Sequence, residues 1–470
     1  MVKLARPARF ARVDDLPDRV MVTWRWGVVA GAVALLTAVL YTLIGLGSFR
    51  GLMLGQDLGI FDQAVRAYAH FQTPGIQIKA QCGFNILGDH FSPVIMLLVP
   101  FYWLWPSAKM LMVVQALLFA GSAFFVGWYG LRRGLGAMAY IVQAAFIMSY
   151  GVLSAMLFDF HEVAFGLPIL LYGLWAFLEK RDGHLIVACL LMCLVREDMP
   201  LYAVGIALAL IVIGRRLFGV ILGLASAAMT LVLVFVTGSP NGGSIGAFLP
   251  NLFSLRGLLF LLLIVVTAGI GVARPVLLAV VPPVLIRLTA ADPVSLGFTH
   301  QYGALVTAAA IVALIDGWAW LSEKRGVVAK SGRAMQVAVL VLLAVAELFA
   351  TGAPFDTSPQ FRNVQARIEM LWTSDQRATD MRAVAAQIPD EANVAADVFL
   401  VNQIVDRTTV QAVDPDQPVG ADYVWLYTST TAHDNQSTPW VSDLFVKLIA
   451  TNYTMVDYRG PFILLRRVGS

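Results

Sequence analysis

The sequence predicts an α-helical, multi-pass membrane protein that ends in a small α/β domain. Three observations carry this. Hydrophobic residues make up 59% of the chain and charged ones only 13%, where an average soluble chain is roughly 25% charged. Long apolar runs recur between residues 26 and 351. From residue 352 on the chain turns polar, and short strand-like stretches replace the runs.

The N-terminal stretch MVKLARPARFARVDDLPDRVMVTWRW is long and polar ahead of its apolar run and has no small-residue cleavage site. Residues 1–25 therefore read as a retained basic tail and not as a signal peptide. A spanning helix needs roughly 20 apolar residues. Runs of that order, several of them shorter, fall at 26–47, 109–130, 136–157, 162–178, 184–197, 199–214, 217–236, 256–273, 275–290, 301–320 and 335–351, giving eleven candidate spans. The run HFSPVIMLLVPFYWLW, 90–105, holds two prolines and an aromatic end, as expected of a re-entrant or interfacial helix at headgroup level. If it does not cross, seventeen Lys and Arg residues fall on inner segments, including Arg132, Arg133, Lys180, Arg181, Arg215, Arg216 and Arg274, against seven on outer ones. Basic residues favour the cytoplasmic side, so this topology is preferred. It puts the tail inside and residues 352–470 outside.

The outer loop 48–108 contains LGIFDQAVRAYAHF. There Ile60, Phe61, Ala64, Val65, Tyr68 and Phe71 recur at helical spacing, with Asp62, Gln63 and Arg66 opposite. This predicts an amphipathic interfacial helix whose polar side is solvated. In the C-terminal domain the stretches around 360–387 and 440–450 read as helices, and ANVAA, DYVWLY, YTMVDY and FILLRR as strands, after the linker-like TGAPFDTSP. The expected division is thus a tail, 1–25, a membrane domain, 26–351, and an extracytoplasmic domain, 352–470. A net charge of +3, without basic and aromatic interleaving, argues against a nucleic-acid partner. Three cysteines, two of them one helical turn apart in an apolar run, make neither a disulfide framework nor a metal motif.

The informative residues are the few ionisable groups at membrane depth, because such groups are expensive and mark function by default. All fall at outer ends of apolar runs. Asp57 in GQDLGIFDQ could accept a proton from an attacking hydroxyl or cap the helix that follows it; Asp62 is the alternate base or part of a solvated face. In NILGDHFSP, Asp89 suits capping, and His90 could hydrogen-bond a phosphate or sugar oxygen. Asp159, His161 and Glu162 in LFDFHEVAF interrupt two apolar runs and could form an acid/base relay. With Asp57, Asp159 and His161 could also hold a divalent cation, the one cofactor this residue set suggests. Arg196, Glu197 and Asp198 lie between two short runs, and Arg196 is the best candidate for a phosphate, unless Arg and Glu satisfy each other. His300 and Tyr302 open the tenth span on the same side.

Two functional classes fit such an arrangement. A transporter would set its charges near the bilayer midplane and often shows inverted repeats. An enzyme acting on a lipid-linked substrate needs an outward cavity, cations for phosphate, a carboxylate base and an amphipathic lid. The ordered motifs DLGIFDQ, LGDHFSP, LLVPFYWLWPS, FDFHEVAF, REDMPL and THQYGAL, followed by IPDEANVAA, resemble a bacterial multi-pass membrane family of unknown function, itself similar to the GT-C class of glycosyltransferases. That resemblance implies a bacterial plasma-membrane protein with a GT-C-like fold that moves a sugar, with inversion, from a polyprenyl-phosphate donor to an extracytoplasmic glycan, lipid or protein acceptor. It carries the base role to Asp57, with Asp62 as alternate. At the position of Arg196 the family more often has Lys. The alternative is a lipid or glycolipid transporter.

Overall fold

A computed structural model describes residues 24–79, 84–237, 244–290, 300–324, 364–373, 375–414, 419–428 and 440–469. The basic tail up to residue 23, the candidate span 335–351 and the TGAPFDTSP connector lie outside the described residues. The helices in chain order are α1 (Trp24–Arg50), α2 (Asp57–Ala69), α3 (Val99–Leu104), α4 (Ala108–Arg132), α5 (Met138–Met148), α6 (Tyr150–Leu157), α7 (Val163–Leu178), α8 (Asp182–Met192), α9 (Pro200–Val212), α10 (Arg216–Thr237), α11 (Phe248–Phe253), α12 (Leu255–Ala268), α13 (Val281–Arg287) and α14 (Ala304–Glu323). The C-terminal region adds α15 (Val364–Glu369), α16 (Gln376–Ala385) and α17 (Trp440–Ala450).

Among the described residues five helical segments are long and apolar enough to cross a membrane: Trp26–Arg50, Ala108–Arg132, Arg216–Thr237, Leu255–Ala273 and His300–Glu323. The pair α5 and α6, bent by 45°, makes a sixth if counted as one span. The bend falls at Ser149, whose hydroxyl accepts the N–H of Val152 and so caps the second half. The runs expected at 162–178, 184–197, 199–214 and 275–290 form helices of only 10–17 residues, and so does Pro93–Leu104. Among the described residues, five of the expected runs are thus full-length spans, one is the bent pair and four are shorter apolar helices.

The helix α14 is the axis of the bundle, with nearly all of its residues buried. Its small residues permit close packing. A Cβ on Gly271 would lie 2.3 Å from the main chain of Ala313, so only glycine lets the 3-10 turn Gly269–Ala273 lie against α14. At one end of the bundle Asp316 of α14 binds Arg133 at 3.0 Å and Arg274 at 2.6 Å. The candidate site lies at the other end.

The C-terminal region forms a five-stranded mixed sheet. A two-stranded ribbon in the outer loop supplies β1 (Gly75–Ile76) and β2 (Phe84–Asn85); the sheet itself is β3 (Asn393–Ala396), β4 (Thr409–Ala412), β5 (Tyr423–Tyr427), β6 (Tyr453–Arg459) and β7 (Phe462–Arg467). The strand order is β4-β3-β5-β7-β6, with the first three parallel and β7 antiparallel to its neighbours. The four predicted strands are present, and β4 joins them at the edge, its short TVQA segment too brief to show alternation.

The sheet packs on the outer loop instead of standing apart. The hydrophobic core is continuous from the bundle through α2 into Val394, Leu400, Val401 and Val410. Gln63 donates to Val410 O at 2.7 Å, and Arg66 to the carbonyls of Val405 and Thr408. The polar side of α2, expected to face water, is therefore covered: Asp62 is wholly buried and Gln63 nearly so. A helix with one apolar and one hydrogen-bonding side satisfies two buried partners as readily as one partner and solvent.

Candidate functional site

The turn 158–162 between α6 and α7 is the centre of the site. The buried Asp159 carboxylate accepts three main-chain N–H groups, from Gly55 at 2.9 Å, Asp57 at 3.1 Å and Leu58 at 3.4 Å. These lie at the start of α2, where a helix leaves donors without intrahelical partners, so Asp159 caps α2 from a different element. Asp57 is not the cap. It is the first residue of the helix, and its carboxylate turns to His161, with Oδ2 3.4 Å from Nε2.

The side chain of Asp57 is 35% exposed and that of His161 only 10%. Burial pushes the Asp57 carboxyl up, but the His161 imidazole overrides burial by hydrogen bond and charge, Lys79 and His300 assist, and the net shift is downward. Burial disfavours a charged His161, yet Asp57 and then Glu162 hold its pKa above the ordinary value. Both shifts favour a carboxylate–imidazolium pair. Asp159 is raised to about 6, by burial first and by the Asp57 charge second.

The His161 ring stacks on Phe158, 5.1 Å between centroids, and its Nδ1 lies 3.2 Å from Asp159 O, while its main-chain N–H donates to Gln115 Oε1 at 3.1 Å. His300 packs edge-on against the same Phe158 at 4.4 Å. It gets there because α6 and the turn His300–Tyr302 approach closely at Gly151, where a Cβ would lie 2.7 Å from the carbonyl of Gly303. His300 itself sits at φ 53°, in the left-handed region that non-glycine residues seldom adopt.

A second knot adjoins the first through Glu162. Arg196 is buried and its guanidinium is committed: Nε and Nη2 each donate to Asp198 at 2.6 Å, and Nη1 lies 3.4 Å from Glu162 Oε1. The expectation of an open phosphate ligand meets a guanidinium whose side chain is only 6% exposed and whose Nε and Nη2 already bind Asp198. Glu197 does not pair with Arg196. Its two oxygens hold His90, Nδ1 at 2.8 Å, and the N–H of Phe91 at 3.1 Å. Asp89, expected as a helix cap, binds Lys79 instead.

The structure thus joins Asp57, Asp159, His161, Glu162, Arg196, Glu197, His90 and His300 into one connected cluster. Tyr302 belongs to its edge, where its carbonyl accepts from Arg287 and its ring lies 5.8 Å below that guanidinium. Asp62 does not belong. Its carboxylate faces the Tyr102 hydroxyl at 3.4 Å with no exposed surface, which removes it as an alternate base. Nor do Asp57, Asp159 and His161 converge on a cation position, since Asp159 uses both oxygens on main-chain donors. Among the described residues no group of three or more His, Cys, Asp or Glu side chains has the geometry to hold a metal ion.

Residues without an apparent role in the sequence also reach the site. Lys79 and Arg287 are cations there; Arg287 could have been noticed as the only ionisable residue in the run 275–290. Asn402 and Arg367 come from the C-terminal region, through contacts more than 200 residues apart in sequence that no local pattern signals.

Apolar helices gathered round a buried axis, with a cluster of ionisable groups at one end, mark a membrane protein with several candidate spans and a candidate polar site among the described residues. The chain belongs to the family described as "Predicted membrane protein (DUF2079)", which matches residues 52–254 and 245–460. No curated protein and no solved structure gives a significant match.

Proposed function

We propose that this protein is a GT-C-like membrane glycosyltransferase that moves a sugar from a polyprenyl-phosphate donor to an extracytoplasmic glycan, lipid or protein acceptor, with Asp57 as base. The observation that carries the reading is the Asp57–His161 pair: a partly exposed carboxylate, oriented by a buried imidazole, within a cluster of ionisable groups. Asp198 is as exposed, but Arg196 holds both of its oxygens. The positive-inside rule supports an extracytoplasmic site, since the Arg133, Arg274 and Asp316 group lies at the opposite end.

In the reaction the acceptor O–H gives its proton to Asp57 as its oxygen bonds to the anomeric carbon. The bond from that carbon to the donor phosphate breaks, and its electron pair leaves on the phosphate. A leaving phosphate needs cations more than a second acid. With Arg196 occupied, that role moves to the imidazolium of His161, beside Lys79, which also pairs with Asp89, and Arg287 at the Tyr302 edge. Arg196 then acts by holding Asp198 and Glu162 in place.

The test is an in vitro transfer assay with polyprenyl-phosphate sugars. Asp57→Asn and His161→Gln should each lower transfer by about 10²–10⁴-fold with the fold retained, and full activity in Asp57→Asn refutes the assignment. One observation favours a lipid or glycolipid transporter as the second reading: α8 and α9, of 11 and 13 residues, stop at the buried Arg196 knot, like broken helices that meet at a transport site. Movement of labelled glycolipid across vesicles, with no transfer from any donor, would decide for it.

A further inference from the structure

The C-terminal region reaches past the surface of the outer loop into the segment that carries Asp57. Asn402, in the turn Val401–Gln403, is almost wholly buried, and its Nδ2 donates to Gly55 O at 2.6 Å. The N–H of the same Gly55 donates to Asp159 at 2.9 Å. One residue is therefore gripped from opposite sides, by the C-terminal region and by the 158–162 turn, two positions ahead of Asp57. The fit is close, since a Cβ on Gly59 would lie 2.9 Å from Asn402 Oδ1 and 2.8 Å from Ile78 Cδ1. That Oδ1 is itself buried without a hydrogen-bond partner. The amide thus bears the cost of an unsatisfied buried oxygen while its N–H satisfies the Gly55 carbonyl.

Neighbouring contacts repeat the pattern. Gln403 donates to Phe49 O at 3.0 Å, Arg377 to Gly51 O at 3.0 Å, and the buried Arg367 to Leu157 O at 3.1 Å. All these acceptors lie on the two segments that meet at the Asp57–His161 pair.

We infer that Asn402 is a positioning residue for Asp57, and that through it the C-terminal region sets the Asp57–His161 geometry. The inference deepens the proposal for Asp57 and rests on it, but its test does not require sugar transfer. The full-length protein, labelled at its histidine rings, is titrated by NMR in nanodiscs, with the His161 signal assigned by its loss in His161→Gln. The charged and titratable groups around that ring are Asp57, Asp159, Glu162, Lys79 and His300. Asn402→Ala, and separately Gly59→Ala, which displaces Asn402 from the other side, should each move the His161 midpoint down toward the ordinary imidazole value of about 6.5. Asp57→Asn sets the full size of that shift.

Thermal unfolding of each variant is followed alongside, so that loss of fold is seen directly. If Asn402→Ala and Gly59→Ala both stay folded and leave the midpoint where the parent has it, while Asp57→Asn lowers it, the positioning role is overturned. If Asp57→Asn leaves the midpoint unmoved, the pair does not form and the inference fails with it. A protein that transfers no sugar but shows the expected shifts supports the positioning role and refutes only the glycosyltransferase proposal.

Discussion

Asp62 offers the sharpest test of how α2 is buried. Its carboxyl has no exposed surface, Oδ2 accepts one long hydrogen bond from Tyr102 at 3.4 Å, and Oδ1 has no partner. Burial first, and the nearby Asp406 charge second, raise its pKa from 3.8 to about 8. Between those two pH values the folded chain holds a proton that the unfolded chain has released. Stability therefore falls as pH rises, by ~1.4 kcal/mol per pH unit, and levels off above the folded pKa. From pH 4 to pH 7 the loss is on the order of 4 kcal/mol. Asp62→Asn has the shape of the protonated acid and no proton to lose. Its stability should match the parent near pH 4 and exceed it increasingly up to pH 8, measured by denaturant unfolding in detergent micelles. Parallel pH curves for the two proteins, or a variant weaker than the parent at pH 8, would refute the reasoning.

At the far end of the bundle, Asp316→Asn should destabilise by about 3–5 kcal/mol, because it leaves Arg133 and Arg274 without their shared buried partner; unfolding in detergent measures this, and a loss below about 1 kcal/mol would show that the pair is not closed. Gly271→Ala should lower stability by about 1–3 kcal/mol through overpacking, and since the clash is with the main chain of Ala313, adding Ala313→Gly should not restore it. Arg196→Lys keeps a charge but loses the fork to Asp198, so it should lower the unfolding midpoint while leaving the donor KM near the parent's. A large rise in donor KM at unchanged stability would return Arg196 to the phosphate.

Much of the membrane part was legible because apolar runs declare themselves without tertiary information. Every described run became helix, but run length overstated the spans. The runs 184–197 and 199–214 break off into α8 and α9 because Arg196 pairs with Glu162 and Asp198, and Glu197 with His90, inside the protein, and a helix that must deliver charges to buried partners stops short. The site was legible as a set of residues, since ionisable groups at the ends of apolar runs are costly enough to stand out from the sequence around them, but its pairings were not. Asp57 and Asp159 exchange roles relative to their positions in sequence: the aspartate at the start of α2 faces the histidine, and the one beside the histidine caps α2. Capping depends on which carboxylate the packing brings to the helix end, and sequence spacing shows only the residue next to it.

The same logic explains why three carboxylates beside Arg196 do not make an acidic site. Glu162, Glu197 and Asp198 each face a cation or main-chain donor within the cluster, so their charge is consumed locally. Asp159 is likewise consumed by the start of α2. What remains without a fixed cation fork or main-chain donor in this cluster is Asp57, whose partner His161 is buried, whose own N–H is held by Asp159, and whose neighbour Gly55 is held by Asn402. Most of the ionisable groups in this cluster thus serve to fix the position of one, as expected where a reacting group must be held in place while its neighbours stay shielded from water.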